Sequence, residues 1–299
     1  MQKLLRGAVR IMYQPVFNPR VPIAMQRAWA EMIGKSTLKP RGRVITPQAM
    51  NGVPAECVHD SRTSPLKSPG AVLYLHGGGY ILGSPATHRA ITASLARATG
   101  LKVHVPAYRL APEHPYPAAL DDALASYRWL LDNGHKASLI SIAGDSAGGG
   151  LALATTLAIR DAGLPMPGAL VLISPWLDLT LSGESMQTRA TRDPALRATR
   201  ARWAASLYCK NTALDHTGCS PLFADLKGLP PTLVQVGSDE ILYSDTERFT
   251  EKARAAGIEV QMHCYDGLWH DFQLHVGLLR QADEAIAEIA AFLFRPTAA

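Results

Sequence analysis

Cysteine is scarce in this chain of 299 residues: four, at positions 57, 209, 219 and 264, with no C-x-x-C pair among them. That spacing argues against a disulfide framework and a zinc site, and for reduced, mostly buried thiols. With no H-E-x-x-H and no ligand cluster at metal spacing, no metal is expected. Charge is thin too, at 18% Asp, Glu, Lys and Arg. The net +5 comes from scattered Lys and Arg rather than a basic run, so no nucleic-acid partner is expected. No stretch approaches the about 20 apolar residues that span a bilayer. The opening MQKLLRGAVRIMYQPVF shows no small-residue cleavage site, which reads as a cytoplasmic protein. Internal repeats and low-complexity linkers are lacking. Nucleotide-binding signatures are lacking as well: Gly34-Lys35-Ser36 misses the upstream glycine of a P-loop, where Trp29 stands.

What the chain has is apolar content, 47%, enough to bury a sizeable core. Short β-branched runs recur at 72–75, 103–105, 139–142, 170–173, 233–236 and 260–262. They are continuous rather than alternating, as strands covered on both faces should be. Helix-length segments lie between them at 87–98, 118–132, 147–162 and 245–256, with another at 278–294. This alternation predicts an α/β protein with a mostly parallel central sheet flanked by helices. Residues 1–45 and 182–220 break the pattern. Neither looks like an independent domain, so 1–299 reads as one domain with these two segments as a lid.

At Gly144-Asp145-Ser146-Ala147-Gly148 an apolar strand passes into a helix through a serine boxed by glycines. G-x-S-x-G at such a junction is a nucleophile elbow, a turn too sharp for side chains at its flanks. It strains the serine backbone and lifts the hydroxyl clear of the sheet edge. The helix starting at Ala147 aims free N–H groups and a positive dipole end at charge developing there.

A second glycine cluster, His76-Gly77-Gly78-Gly79-Tyr80, also follows a strand. Consecutive glycines let backbone N–H groups approach a ligand closely. The N–H groups of Gly77, Gly78 and Ala147 are the expected oxyanion hole, the donors that hold the negative oxygen of a tetrahedral intermediate.

A serine hydroxyl needs a base, and the base needs an orienting acid. In this architecture the chain order is serine, acid, histidine, each beyond a strand. Gly237-Ser238-Asp239-Glu240 and Gly267-Leu268-Trp269-His270 supply candidates. The expected catalytic set is therefore Ser146, Asp239 and His270. Glu240 stands as a rival for the acid, with Asp239 nearer the strand end. His263 within a strand and His275 near a helix read as structural.

These motifs together resemble the hormone-sensitive-lipase family of α/β-hydrolases, with its bacterial carboxylesterases. The resemblance rests on His76-Gly77-Gly78-Gly79, on Gly144-Asp145-Ser146-Ala147-Gly148-Gly149, and on Tyr108-Arg109-Leu110-Ala111-Pro112-Glu113-His114-Pro115-Tyr116-Pro117-Ala118. Asp178 and the pair Asp193-Pro194 look familial, in structural roles. The chain departs at the acid, where Asp239-Glu240-Ile241-Leu242 replaces the usual Asp-Pro-Leu.

The resemblance implies the α/β-hydrolase fold and a cap from about 1–45 together with about 182–220. It also implies cofactor-free hydrolysis of short- to medium-chain acyl esters. Tyr80, Trp29, Met25 and Phe17 are candidate pocket walls. A lactone hydrolase, a sugar deacetylase or an amidase would use the same machinery. From a different class, a non-catalytic small-molecule receptor on this fold would lack the base or acid. An edge strand near Val260, or the last helix, is a candidate surface for a homodimer.

Overall fold

Eight strands form one sheet through the middle of the protein, in a computed structural model that describes residues 2–13, 15–62 and 70–294. In chain order they are β1 (Arg43–Met50), β2 (Val53–Asp60), β3 (Ala71–Leu75), β4 (Lys102–Pro106), β5 (Ile140–Asp145), β6 (Ala169–Ile173), β7 (Thr232–Gly237) and β8 (Val260–Tyr265). Their spatial order is β1-β2-β4-β3-β5-β6-β7-β8. β2 runs antiparallel to both neighbours, and all pairs from β4 to β8 are parallel. The expected fold class is met. All six expected runs fall on strands, with Leu139 just ahead of β5.

β1 and β2 are the elements that the apolar runs did not announce. They form a hairpin in which Met50 pairs with Val53 across a two-residue Asn51-Gly52 loop. Both loop residues have positive φ, 48° and 87°, as a type I′ turn needs. The Asn-Gly pair was the available signal. β1 hides itself because it is mostly solvent-facing and carries Pro47, which an edge strand tolerates.

Nine helices are described: α1 (Gln2–Met12), α2 (Ile23–Ser36), α3 (Arg89–Thr99), α4 (Ala118–Asp132), α5 (Ala147–Asp161), α6 (Ser185–Thr188), α7 (Ala198–Tyr208), α8 (Tyr243–Ala255) and α9 (Arg280–Leu293). Two cores flank the sheet, because successive strand side chains face opposite ways. Val72 and Tyr74 pack on one side with Ile91 and Leu95 of α3 and Ile286 and Ile289 of α9. Leu73 and Leu75 face the other, with Tyr127 of α4, Leu151 of α5 and Phe249 of α8. Each such side chain is fully or almost fully buried and contributes about 1.5–3 kcal/mol of transfer free energy.

β3 and β5 are neighbours in this order, so the loops leaving their carboxyl ends lie side by side. Both glycine clusters are therefore at one sheet edge. The segments that broke the alternation hold α1 and α2 at one point of the chain and α6 and α7 at the other. The expected cap of about 1–45 reaches into β1, and its Met1 and Gln14 lie outside the described residues.

Candidate active site

Ser146 sits between β5 and α5 with φ 53° and ψ −121°, a conformation that L-residues seldom adopt. Crowding around it explains both glycines. A Cβ on Gly144 would lie 2.2 Å from the Gly148 carbonyl oxygen, and one on Gly148 would lie 2.0 Å from that of Leu75. Neither backbone atom can step aside. The Ser146 N–H donates to the Ile173 carbonyl at 2.9 Å, which anchors the turn to β6.

His270 arrives on the loop after β8, almost wholly buried, with Nε2 2.8 Å from the Ser146 Oγ. Its Nδ1 lies 3.0 Å from a carboxylate oxygen, and that oxygen belongs to Glu240. The sequence expectation of Asp239 in this place is not met. After β7 the chain turns, with the Glu240 N–H reaching back to the Gly237 carbonyl, and the turn aims the second acidic residue inward. Glu240 is fully buried, and its other oxygen accepts from the Ser174 hydroxyl and the Gly237 N–H, both at 2.6 Å. Its carboxylate is thus fixed by three donors. Asp239 instead takes Arg6 Nη1 of α1 at 2.7 Å.

Burial alone would lower the pKa of His270, but the charges and hydrogen bonds of Asp271 and Glu240 more than reverse this and hold it well above its ordinary value. Asp271 follows it in the left-handed region, with φ 55°, and its Oδ2 is 3.0 Å from the same Nε2 that faces Ser146. Burial pushes the Asp271 carboxyl up to about 7.

The glycine loop after β3 also differs from expectation at one position. The Gly77 N–H donates to both oxygens of Asp145 at 3.1 Å, so it is engaged within the protein. The N–H groups of Gly78, Gly79 and Ala147 have no protein acceptor among the described residues. Asp145 is fully buried and also accepts from the Tyr74 hydroxyl at 2.7 Å, with His88 Nε2 at 3.1 Å. Burial lowers the His88 pKa, and Asp145 outweighs it and raises it. His76 is buried too, pushed down to about 3 chiefly by desolvation, and stacks on Tyr108 at 4.2 Å between ring centres. The Tyr108 hydroxyl donates to the His76 carbonyl at 2.5 Å. These contacts brace the loop from below.

A mostly apolar pocket of about 260 Å³ opens over Ser146, Gly77, Gly78, Asp145, His270 and Asp271. Leu5, Val9 and Met12 from α1, and Tyr13, Val16 and Phe17 after it, line one side; Ile33 of α2, Leu196 and Leu274 complete it. Of the four expected wall residues, Phe17 is in place. Tyr80 is a core residue, stacked on Tyr208 at 3.8 Å and 4°. Trp29 ties α2 to α1 by donating from Nε1 to the Met12 carbonyl at 2.9 Å. Met25 is 63% exposed and faces away.

Two arginines that the sequence reading passed over fasten the covering helices. Arg6 reaches Asp239 and the carbonyls of Gly267 and Arg192. Arg27 donates to the carbonyls of Ile81 and Ala111 at 2.9 Å and pairs with Glu113. The expected structural roles of Asp178 and Asp193 have these contacts. Asp178 accepts from Arg248 at 2.8 Å, and Asp193 caps the N–H groups of Ala195, Leu196 and Ile241. Among the described residues no group of three His, Cys, Asp or Glu could hold a metal ion.

The chain is similar to known α/β-hydrolases. A family described as alpha/beta hydrolase fold matches residues 72–274. An acetyl-hydrolase of Streptomyces hygroscopicus is 41% identical over 254 residues, covering 85% of this chain and 83% of its own. A putative acetyl-hydrolase of Mycobacterium tuberculosis is 36% identical over 293 residues, covering 98% and 92%. An esterase of Acinetobacter venetianus is 43% identical over 222 residues, covering 74% and 73%. The crystal structure of an esterase from the bacterial hormone-sensitive lipase family matches with a TM-score of 0.92 at 40% identity, covering 97% of this chain and 96% of that one.

Proposed function

The chain belongs to the hormone-sensitive-lipase family of α/β-hydrolases and is a carboxylic ester hydrolase, and on that premise we propose that it cleaves short-chain acyl esters through an acyl enzyme on Ser146. The observation that carries this reading is the line Ser146 Oγ, His270 Nε2, His270 Nδ1, Glu240 Oε2, with contacts of 2.8 and 3.0 Å. The hydroxyl proton passes to Nε2 as Oγ attacks the ester carbonyl. Glu240 fixes the ring and stabilises the imidazolium that forms. The carbonyl oxygen becomes an oxyanion, held by the N–H groups of Gly78, Gly79 and Ala147 at the positive end of α5. The imidazolium then gives its proton to the leaving alcohol, and water, activated by the same base, releases the acid.

α1, α2 and the segment carrying α6 and α7 act as a cap, and the enclosed volume suits a small acyl group. The acetyl-hydrolases among the relatives support that size. Among the described residues no helix is long and apolar enough to cross a membrane. Four free cysteines, three of them buried, support a reducing compartment such as the cytoplasm. β8 lies at the edge of the sheet, where two copies can pair, and size-exclusion chromatography with light scattering would reveal the dimer.

A fluorophosphonate probe tests the serine. The expected result is stoichiometric label on Ser146 in the parent, none in Ser146→Ala, and a fall of about 10⁴-fold or more in kcat/KM for p-nitrophenyl acetate. Label elsewhere, or hydrolysis by the purified variant, defeats the reading.

A further inference from the structure

Nε2 of His270 has two partners rather than one, Ser146 Oγ at 2.8 Å and Asp271 Oδ2 at 3.0 Å. A neutral imidazole whose Nδ1 carries the proton toward Glu240 presents a bare lone pair at Nε2. That lone pair accepts one hydrogen bond. Either the Ser146 hydroxyl or a protonated Asp271 can make it. If the ring is protonated instead, its Nε2–H faces the Asp271 carboxylate. In both singly protonated arrangements the proton lies between the ring and Asp271, and Ser146 has no base.

We propose that Asp271 is a positioning residue that competes with Ser146 for Nε2 of His270, and so sets the pH at which the serine gains its base. This rests on the serine reading of the site. One proton must pass from the His270–Asp271 pair to water. Ser146 can then donate its own to the freed Nε2. Asp271 thereby holds the enzyme in a resting form at low pH and releases it as the pH rises.

The surroundings favour a shared proton. Burial, and after it the nearby charge of Asp145, make a lone carboxylate on Asp271 costly. Among the described residues, Oδ1 of Asp271 is buried without a hydrogen-bond partner, and the side chain's polar contact is the imidazole. The other groups facing the pair do not take over this role. Glu240 is on Nδ1, the opposite nitrogen. His88 turns its Nε2 to Asp145 at 3.1 Å, which holds its pKa up against burial. His275 is pushed down to about 4 by burial and is neutral at working pH. Tyr13 and Tyr74 are pushed up, chiefly by desolvation, and stay protonated. Asp193, also pushed up by burial, has its oxygens on backbone N–H groups.

The test is the pH profile of kcat/KM for p-nitrophenyl acetate in the parent, in Asp271→Asn and in Asp271→Gly. Both replacements suit a left-handed backbone, and neither can bear charge. Removing the carboxylate removes the proton's second holder, so the acid limb should move to lower pH in both. On that limb each unit of displacement raises kcat/KM about tenfold. Asn can still donate to Nε2 from its amide, so its plateau should fall below that of Gly. A purely structural role would lower activity at every pH and leave the limb in place. A limb that stays fixed, or moves to higher pH, overturns the proposal. If neither variant folds, the ¹H resonances of the His270 ring and the ¹³C resonance of the Asp271 carboxyl in the parent decide. The pair should release one proton with both the imidazole and the Asp271 carboxyl responding, and a ring that titrates without the carboxyl overturns the idea. Fluorophosphonate labelling of Ser146 in each variant separates this outcome from a failure of the serine reading, because labelling survives loss of Asp271.

Discussion

The sheet edge that carries Ser146, Glu240 and His270, and the helical layer over it, are held in place by different means. At the edge the positions are set by backbone crowding and by buried donors. Two glycines leave no room for a Cβ, and three hydrogen bonds fix the Glu240 carboxylate. Above it, α1 and α2 are fastened by long side chains reaching to carbonyl oxygens: Arg6, Arg27 and Trp29. α1 leaves Leu4 and Ile11 exposed at 78% and 69%, while β3 and β5 leave almost nothing exposed. Regions with few buried contacts open at lower free energy than the core. On the proposed reading, the chemistry is thus built on the rigid half of the pocket, and substrate fit is left to the adjustable half.

Gly148→Ala breaks the rigid half most completely. Its Cβ would meet the carbonyl oxygens of Leu75 and His76 at 2.0 and 2.5 Å, so β3 or α5 must shift. Overpacking typically costs about 1–3 kcal/mol, and a clash with two backbone oxygens sits at the upper end. Loss of esterase activity and a clear drop in the melting temperature by circular dichroism are expected. A variant that melts with the parent and stays active would show that the close approach of the two loops is not needed.

Glu240→Gln leaves the shape and takes away the charge. The amide cannot stabilise the imidazolium and can favour the wrong tautomer, for which kcat falls about 10⁴-fold in a related constellation. KM should change little, since Glu240 does not line the pocket. Steady-state kinetics with p-nitrophenyl acetate measures both. A variant retaining a tenth of the parental kcat would return the acid role to another residue.

How much of this is legible in the sequence follows the same division. The strands and the two glycine clusters are readable because they obey local rules: apolar runs between buried layers, and glycine where a Cβ cannot fit. The carboxylate facing His270 stands one place beyond the expected Asp239, because Asp239 and Glu240 are chemically alike and only the turn after β7 decides which one faces inward. Nor did the glycine cluster reveal that the Gly77 N–H is engaged, because its acceptor, Asp145, comes from the neighbouring strand. Pocket walls were the least legible. Tyr80 could not be recognised as core without Tyr208, which packs on it from α7. Residues of α1 that do line the pocket carry an ordinary amphipathic pattern, and that pattern does not say what it covers.

The adjustable half should respond more mildly. Arg27→Ala leaves the Ile81 and Ala111 carbonyls without their donor, a loss of about 1–3 kcal/mol. Its ion pair with Glu113, a side chain that is 54% exposed, adds little. Because α2 reaches the pocket through Ile33 and Gly34, KM should rise several-fold while kcat holds. A kcat loss as large as that of Glu240→Gln would mean that the two halves are not separable.

The smallest effect is expected next door to one of the largest. Asp239→Asn removes the partner of Arg6 and touches no atom of the imidazole. The pair is partly exposed, with side-chain exposures of 27% and 15%, and such a pair is worth up to about 1 kcal/mol. Arg6 also keeps its contacts with the Gly267 and Arg192 carbonyls, so α1 stays tethered. kcat should therefore be unchanged and kcat/KM should fall by no more than about fivefold, the factor that 1 kcal/mol allows. High salt should weaken the parent slightly and the variant less, since screening acts on the charge pair alone. Measured beside Glu240→Gln, this variant puts adjacent carboxylates on opposite sides of the division, and equal losses of kcat in the two would erase it.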